Sequence, residues 1–238
     1  MLRRRPTSPR EADMLKRVLT ILFLSIMSVP TTAQRVTRLP EVDLALVLAI
    51  DSSGSVNADR WALQQYGYAT ALRSPEVLNA IAGGPNGAIA VTVVQWAEFA
   101  DQVIGWHVIE SRQSAEILAR KLESLPYQAD SSTGVANAIV SSIILLKTAP
   151  FSALRRIIDI SGDGKENAGG VTPLARDLAI VNGMTVNGLP IVAQESGVSE
   201  FYESQVIGGP GAFSITVRDM KTFPAAVRRK LVREIASR

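Results

Sequence analysis

Apolar and polar residues are arranged along this chain in two kinds of block. Residues 42–50 (VDLALVLAI) and 88–95 (AIAVTVVQ) are almost entirely apolar, which is typical of strands buried on both faces of a sheet. Residues 58–72 instead mix apolar and polar side chains, and Asn57 before them is a favourable helix N-cap. The pattern therefore predicts buried strands that alternate with helices.

The rest of the chain continues this alternation. Ser74-Pro75 separates the helix predicted over 58–72 from a short second helix that ends near Ala82. Further helices are predicted from Ser111 to about residue 125 and over 134–147, 172–182, 200–206 and 223–236, and further strands over 103–108, 156–160, 185–192 and 213–217. This order favours a Rossmann-like α/β fold, with an open, mainly parallel sheet covered by helices on both faces. Because strand 103–108 follows 88–95 closely, we expect it to be an antiparallel edge strand.

The first 33 residues have the order of a secretory signal. Lys16 and Arg17 precede an apolar or small run at 18–29, and the small residues Thr-Thr-Ala occupy 31–33. The run has 12 residues, whereas a membrane-spanning helix needs roughly 20. A buried N-terminal helix is the alternative interpretation, but it does not explain why basic residues and small residues flank the run.

We therefore divide the chain into a signal peptide at 1–33 and one domain at 38–238. The translation start of the signal is either Met1 or Met14. The domain is predicted to be exported, to the periplasm or outside the cell, without a permanent membrane span. Neither an internal repeat nor a long linker interrupts it.

The net charge of the domain differs from that of the whole chain. Removing residues 1–33 takes Lys plus Arg from 25 to 19 and Asp plus Glu from 22 to 20, so the charge changes from +3 to −1. The basic character thus belongs to the N-terminus, and nothing in the charge of the domain favours binding to nucleic acid.

Composition removes several kinds of active site. The chain has no cysteine, which excludes disulfides and thiolate metal sites, and its single histidine argues against a zinc site. A Ser-His-Asp hydrolase would have to use His107, but no Gly-x-Ser-x-Gly sequence accompanies it. No glycine run leads into the Gly-Lys-Ser/Thr of a phosphate-binding loop.

One short segment, residues 47–56 (VLAIDSSGSV), ends a buried strand with oxygen-bearing side chains. In an extended segment alternate residues point the same way, so Asp51, Ser53 and Ser55 can present a carboxylate and two hydroxyls to one point. Gly54 lets the chain curl around that point. The alternative is a purely structural role, in which Asp51 caps a turn and the serines only form part of a polar loop.

Two other loops carry similar residues at the same predicted rim of the sheet. They are Asp130-Ser131-Ser132-Thr133-Gly134 and Ser161-Gly162-Asp163-Gly164. Ligands of open α/β sheets bind beyond the carboxyl ends of the strands. Oxygen ligands with few carboxylates suit a hard cation such as Mg²⁺, which usually keeps some of its waters. We therefore expect a cation site that leaves room for a further carboxylate.

These loops resemble those of von Willebrand factor type A (vWA) domains. The metal-ion-dependent adhesion site (MIDAS) of that family has an Asp-x-Ser-x-Ser motif after the first strand, which Asp51-Ser52-Ser53-Gly54-Ser55 matches fully. A second loop gives a threonine or serine, for which Ser131 aligns best and Thr133 is the fallback. A third loop gives an aspartate, here Asp163, although glycine precedes it where threonine is common.

The resemblance covers nearly the whole domain. Residues 206–217 (VIGGPGAFSITV) and 223–235 (FPAAVRRKLVREI) are similar to a bacterial exported subfamily of such domains that has no assigned function. The resemblance to vWA domains implies a metal site formed by Asp51, Ser53, Ser55, Ser131 and Asp163. The ion would be Mg²⁺, with Mn²⁺ or Ca²⁺ as alternatives.

Three functions follow as hypotheses. The first is a non-enzymatic binding module in which an Asp or Glu of a partner protein completes the coordination of the metal. The second is a hydrolase that uses the same metal to activate water, with Glu166 or Asp130 as the nearby candidates for a general base. The third is a structural vWA scaffold that binds no metal.

Overall fold

The computed structural model describes residues 40–127, 132–192 and 195–237. The predicted signal peptide at 1–33 lies outside these ranges, as do two residues of the second loop, Asp130 and Ser131. Within the described ranges, no helix combines the length and the apolar character needed to cross a membrane.

Five strands form one sheet at the centre of the described chain. They are β1 (Glu41–Asp51), β2 (Ile89–Trp96), β3 (Ala100–Ile109), β4 (Ser152–Gly162) and β5 (Thr185–Pro190). The order across the sheet is β3-β2-β1-β4-β5. The pairs β1–β2, β1–β4 and β4–β5 are parallel, and β3 is the antiparallel edge strand beside β2. The predicted fold class is thus confirmed.

Helices cover both faces of this sheet. They are α1 (Ala58–Arg73), α2 (Pro75–Ala82), α3 (Arg112–Glu123), α4 (Val135–Lys147), α5 (Thr172–Val181), α6 (Val198–Phe201) and α7 (Phe223–Ala236). A π-helical turn, Tyr202–Val206, continues α6, and a 3₁₀ turn, Met220–Thr222, precedes α7. One core includes side chains from α1, α2, α3 and α7, and the other includes side chains from α4, α5 and α6.

The central strand β1 separates large side chains from small ones. Its leucines and Ile50 face the core under α1 and α7, whereas Ala45, Val47 and Ala49 face the core under α4. Fully burying each leucine or isoleucine contributes about 1.5–3 kcal/mol to stability. The small residues allow α4, which also has buried alanines, to lie close to the sheet. The strand thereby holds its last residue, Asp51, in a fixed position at the rim.

The predicted strand at 213–217 is wrong, since the structure has only isolated bridges there, Gly188 to Ser214 and Ile191 to Val217. Backbone bonds begin as in a parallel ladder: Gly188 donates to Phe213 and Ile215 donates to Gly188. The next donor in that ladder would be the N–H of residue 190, which is a proline. The ladder is therefore interrupted, and the segment does not form a sixth strand.

A buried ionic cluster fixes α7 to the sheet. Lys230 Nζ lies 2.6 Å from Asp159 Oδ1 and 2.5 Å from Glu234 Oε1, and all three side chains are almost fully buried. Asn187 in β5 donates to Glu234 Oε1 at 2.9 Å. Burial raises the pKa of Asp159 and raises that of Glu234 to about 7. We call these residues, Asp159, Asn187, Lys230 and Glu234, the α7 cluster.

Candidate metal site

The first loop begins where β1 ends, at the rim of the sheet. Asp51 is the last residue of β1 and its side chain is fully buried. The Ser53 backbone N–H donates to Asp51 Oδ1 at 2.7 Å, which folds the chain back over the carboxylate. Asn57 then accepts from the Arg60 N–H at 2.9 Å as the N-cap of α1, as predicted.

The third loop meets the first one directly. The Asp163 backbone N–H donates to Asp51 Oδ2 at 3.2 Å, and the Ser55 hydroxyl donates to Asp163 Oδ1 in a short hydrogen bond. The hydroxyls of Ser53 and Ser55 lie 3.4 Å apart. The structure therefore brings together the two carboxylates and both serine hydroxyls that the sequence singled out, from loops 108 to 112 residues apart.

The second loop also adjoins this cluster. Ser131 lies outside the described residues, but Thr133 is buried, and its Oγ1 would lie 3.1 Å from a Cβ placed on Gly164. Thr133 exchanges two hydrogen bonds with Asn167, one from its own N–H to Asn167 Oδ1 at 2.6 Å and one from the Asn167 N–H at 2.9 Å. Asn167 was not predicted. It acts by fixing the second loop beside Asp163.

Gly162 makes the close approach of these groups possible. A Cβ at this position would lie 2.7 Å from Asp51 Oδ2, 2.8 Å from Tyr202 Oη and 3.0 Å from the Trp96 ring. Tyr202 Oη is buried and makes no hydrogen bond to any described residue. This phenol beside a carboxylate is an orphaned polar group, which a further polar group, such as a water held by an ion, would satisfy.

The electrostatics of the two carboxylates differ. Burial raises the pKa of Asp51 to about 7, although hydrogen bonds from Ser53 act in the opposite direction. No basic side chain pairs with Asp51 within the described part of the chain. Asp163, by contrast, has Arg60 Nη1 3.1 Å from its Oδ2. The Asp51 carboxylate is thus buried without a cation, which a divalent ion would supply.

Arg60 is a second residue that the sequence analysis missed. It lies in the first turn of α1 and reaches back across the loop, where its Nη1 is also 3.4 Å from the Ser55 carbonyl oxygen. A cation in the first turn of a helix is unfavourable for the helix dipole. That local conflict was the signal from which a carboxylate partner could have been inferred.

Comparison with known proteins places the chain in a family. A family model described as "Protein of unknown function (DUF1194)" matches residues 41–238. The chain belongs to this DUF1194 family. No curated protein sequence matches it.

Solved structures similar to this DUF1194 chain show a vWA fold. A von Willebrand factor type A protein from Catenulispora acidiphila has 16% identity and a TM-score of 0.61, over 82% of this chain and 43% of that one. Proximal thread matrix protein 1 from the mussel byssus, with a zinc-occupied MIDAS motif, has 14% identity and a TM-score of 0.58, over 80% and 46%. The pilus adhesin SpaC from Lactobacillus rhamnosus GG has 12% identity and a TM-score of 0.59, over 84% and 31%. This chain thus spans less than half the length of each.

The donors at the rim of the DUF1194 chain fit a hard divalent ion. Within the described ranges, no group of three or more His, Cys, Asp or Glu side chains could hold a metal. The rim cluster of Asp51, Ser53, Ser55 and Asp163 has two carboxylates, and its other donors are hydroxyls. Oxygen donors of this kind suit Mg²⁺, Mn²⁺ or Ca²⁺, and the low carboxylate count indicates that other ligands must complete the shell.

The two candidate catalytic residues that the structure describes have other roles in the DUF1194 chain. Glu166 Oε2 accepts from the Ala136 N–H at 2.8 Å, and its Oε1 accepts from the N–H groups of Ala168 and Gly170. Glu166 therefore caps the first turn of α4 and shapes its own loop. The His107 ring nitrogen Nε2 lies 2.8 Å from the Ser114 carbonyl oxygen, on the edge strand β3.

Proposed function

We propose that this chain is an exported protein-binding module of the vWA fold that binds its partner through a divalent cation. Asp51, Ser53, Ser55 and Asp163, with a hydroxyl of Ser131 or Thr133, would hold the ion directly or through waters. A single observation carries the proposal: two carboxylates and two hydroxyls from separate loops meet at the rim, and one of those carboxylates, Asp51, is fully buried and has no basic partner among the described residues.

The chemistry of these donors explains why the partner would be acidic. When bound, the ion would supply a positive charge that is only partly screened in this buried setting. The rim supplies two carboxylates, one of them already paired with Arg60, and its serine and threonine hydroxyls are neutral and weak ligands. A coordination position left open would therefore attract another hard oxygen donor, such as an Asp or Glu side chain of another protein.

Two of the structural neighbours support this proposal by what their names state. The mussel byssus protein was solved with a zinc-occupied MIDAS motif, and SpaC is a pilus adhesin. A byssus and a pilus lie outside the cell, which agrees with the secretory signal predicted at 1–33. We propose Mg²⁺ rather than zinc for this chain, because its donors are oxygens and its one histidine lies at the edge strand.

Binding without catalysis is the form of the proposal that the geometry supports best. A metal-dependent hydrolase needs a base that can take a proton from water. Both oxygens of Glu166 accept hydrogen bonds from backbone N–H groups, so this residue is poorly placed to act as that base. No observation in the described ranges favours the hydrolase over the binding module.

Calorimetric titration of the full chain with MgCl₂ tests the metal site. We expect saturable binding by the wild type and none by Asp51→Ala. Asp59→Ala is the matched control, because Asp59 is an exposed aspartate in the first turn of α1. Equal titration curves for the wild type and Asp51→Ala would contradict the proposal.

A pull-down from the envelope fraction of the source cells tests the partner. We expect the full chain to retain a protein in the presence of Mg²⁺, to release it with a chelator, and to retain less of it when Asp51 is replaced by alanine. Retention that is the same with and without chelator would contradict metal-dependent binding.

A further inference from the structure

We propose that Arg60 is a built-in competitor for the divalent cation, which weakens the affinity of the site by holding Asp163 when no metal is bound. This inference rests on the proposed function and adds a regulating residue to it. The observation behind it is the juxtaposition of a guanidinium and a candidate ligand: Arg60 Nη1 lies 3.1 Å from Asp163 Oδ2.

Both oxygens of Asp163 are engaged in the structure. Ser55 donates its hydroxyl to Oδ1 and Arg60 donates to Oδ2. A guanidinium bound to a carboxylate forms a charge-assisted hydrogen bond, which is stronger than a neutral one. Because the Asp163 side chain is only 2% exposed, water screens this ion pair poorly. A metal ion that uses Asp163 must therefore weaken or displace the bond to Arg60.

The position of Arg60 indicates that it is placed for this carboxylate. It occupies the third residue of α1, where the helix dipole disfavours a positive charge, and its side chain reaches across the loop. About a fifth of the side chain is exposed, so solvent reaches the guanidinium. A cation that is tethered to the adjoining helix and paired with a candidate ligand has the properties expected of a competitor.

Charge repulsion sets the direction of the effect. A divalent ion bound beside Asp163 would share this carboxylate with a fixed positive charge, and the repulsion would oppose binding. Removing the charge should therefore strengthen binding of the metal, whereas loss of an ordinary supporting contact would weaken it. This opposite sign separates a competitor from a residue that only stabilises the loop.

The test is calorimetric titration of the full chain with MgCl₂ and, separately, MnCl₂. We expect Arg60→Gln to bind Mg²⁺ about tenfold more tightly than the wild type. Glutamine at this position retains helix propensity and can form a capping box with Asn57, so the variant is designed to fold. Arg60→Lys keeps the charge and should stay within about threefold of the wild type.

Two controls make the outcome specific. Arg228→Gln removes a positive charge that pairs with Glu76 in α2, beyond the far end of α1, and should leave affinity unchanged. Asp51→Asn should abolish binding whether or not Arg60 is present.

Each result either supports the competitor or overturns it. Tighter binding by Arg60→Gln with unchanged Arg228→Gln supports it. Equal or weaker binding by Arg60→Gln overturns it, while the proposed function stands if the wild type binds Mg²⁺ and Asp51→Asn does not. No binding by the wild type or by Arg60→Gln overturns both proposals.

Discussion

Two regions of this molecule each place two carboxylates next to one basic side chain, yet they differ in how the charges are balanced. In the α7 cluster, Lys230 lies between Asp159 and Glu234 and contacts both at 2.5–2.6 Å. At the rim, Arg60 contacts Asp163, whereas Asp51 accepts from the backbone N–H groups of Ser53 and Asp163. In the first arrangement one cation contacts both carboxylates, whereas in the second no basic side chain of the described ranges pairs with the buried Asp51.

The comparison teaches what a buried carboxylate does when its surroundings differ. In the α7 cluster, Lys230 pairs with both carboxylates, Asn187 donates to Glu234, and the pKa of Glu234 is raised, so the charges are largely compensated from within. At the rim, the compensation is incomplete and the hydroxyls of Ser53 and Ser55 add donors beside it. We therefore assign the cluster a structural role and propose the rim as the site for an external cation.

The largest change in the free energy of unfolding is expected when the shared lysine is removed from the α7 cluster. Lys230→Met should lower the free energy of unfolding by about 3–5 kcal/mol, because it leaves two buried carboxylates without their shared cation. Urea denaturation of the full chain measures this. Arg229→Met removes an exposed charge from the same helix and should change stability by less than about 0.5 kcal/mol. Equal effects for the two variants would show that the cluster does not hold α7.

The next effect concerns the rim. Adding Mg²⁺ at about 100 times its dissociation constant should stabilise the wild type by about 2.7 kcal/mol, because the ion binds the folded state. Asp51→Asn should show no such gain in thermal or urea unfolding, whereas the control Asp59→Asn should keep it. A gain that survives in Asp51→Asn would place the ion elsewhere.

A third prediction uses the pKa of Glu234, which burial raises from 4.5 to about 7. A carboxyl whose pKa is raised on folding stabilises the folded state at low pH, and this contribution is lost as the pH rises through about 7. Between pH 5 and pH 8 the free energy of unfolding should therefore fall. Glu234→Gln should make this decline shallower by about 2 kcal/mol. Glu203→Gln, at an exposed position, should leave the decline unchanged.

The smallest effect should come from Arg60 in the absence of metal. Arg60→Gln in a chelator should cost about 1 kcal/mol of unfolding free energy, because the arginine is partly exposed and Asp163 keeps its bond from Ser55. Urea denaturation in EDTA measures it. A loss as large as that of Lys230→Met would show that the charges at the rim are compensated in the same way as those of the α7 cluster, which would remove the difference between the two regions.

Most of the fold could be predicted from the sequence. The uninterrupted apolar runs of β1 and β2 and the caps Asn57 and Ser111 are local signals, and the structure agrees with them. The strand predicted at 213–217 failed because its ladder depends on a donor in another segment, which Pro190 lacks. The strand propensity of a segment does not depend on whether the neighbouring segment has a backbone N–H to donate, so it could not predict this interruption.

The candidate site was predicted in part. Asp51, Ser53 and Ser55 were visible because alternate residues of an extended segment point the same way. That Asp163 joins them could be expected from the rule for parallel sheets, and the structure places it there. Arg60 and Asn167 were missed, because each acts on a residue more than 30 positions away and carries no motif.

By itself, the sequence determined the elements, their alternation and the three loops that carry oxygen donors, because these follow from periodicity, capping and turn chemistry between neighbouring residues. Only the tertiary structure decided which charges meet. It set Lys230 between two carboxylates, and it joined Arg60 to Asp163. The physical reason is that the balance of charge in a buried site depends on distances of a few ångströms between distant segments, and the chain order does not encode these distances locally.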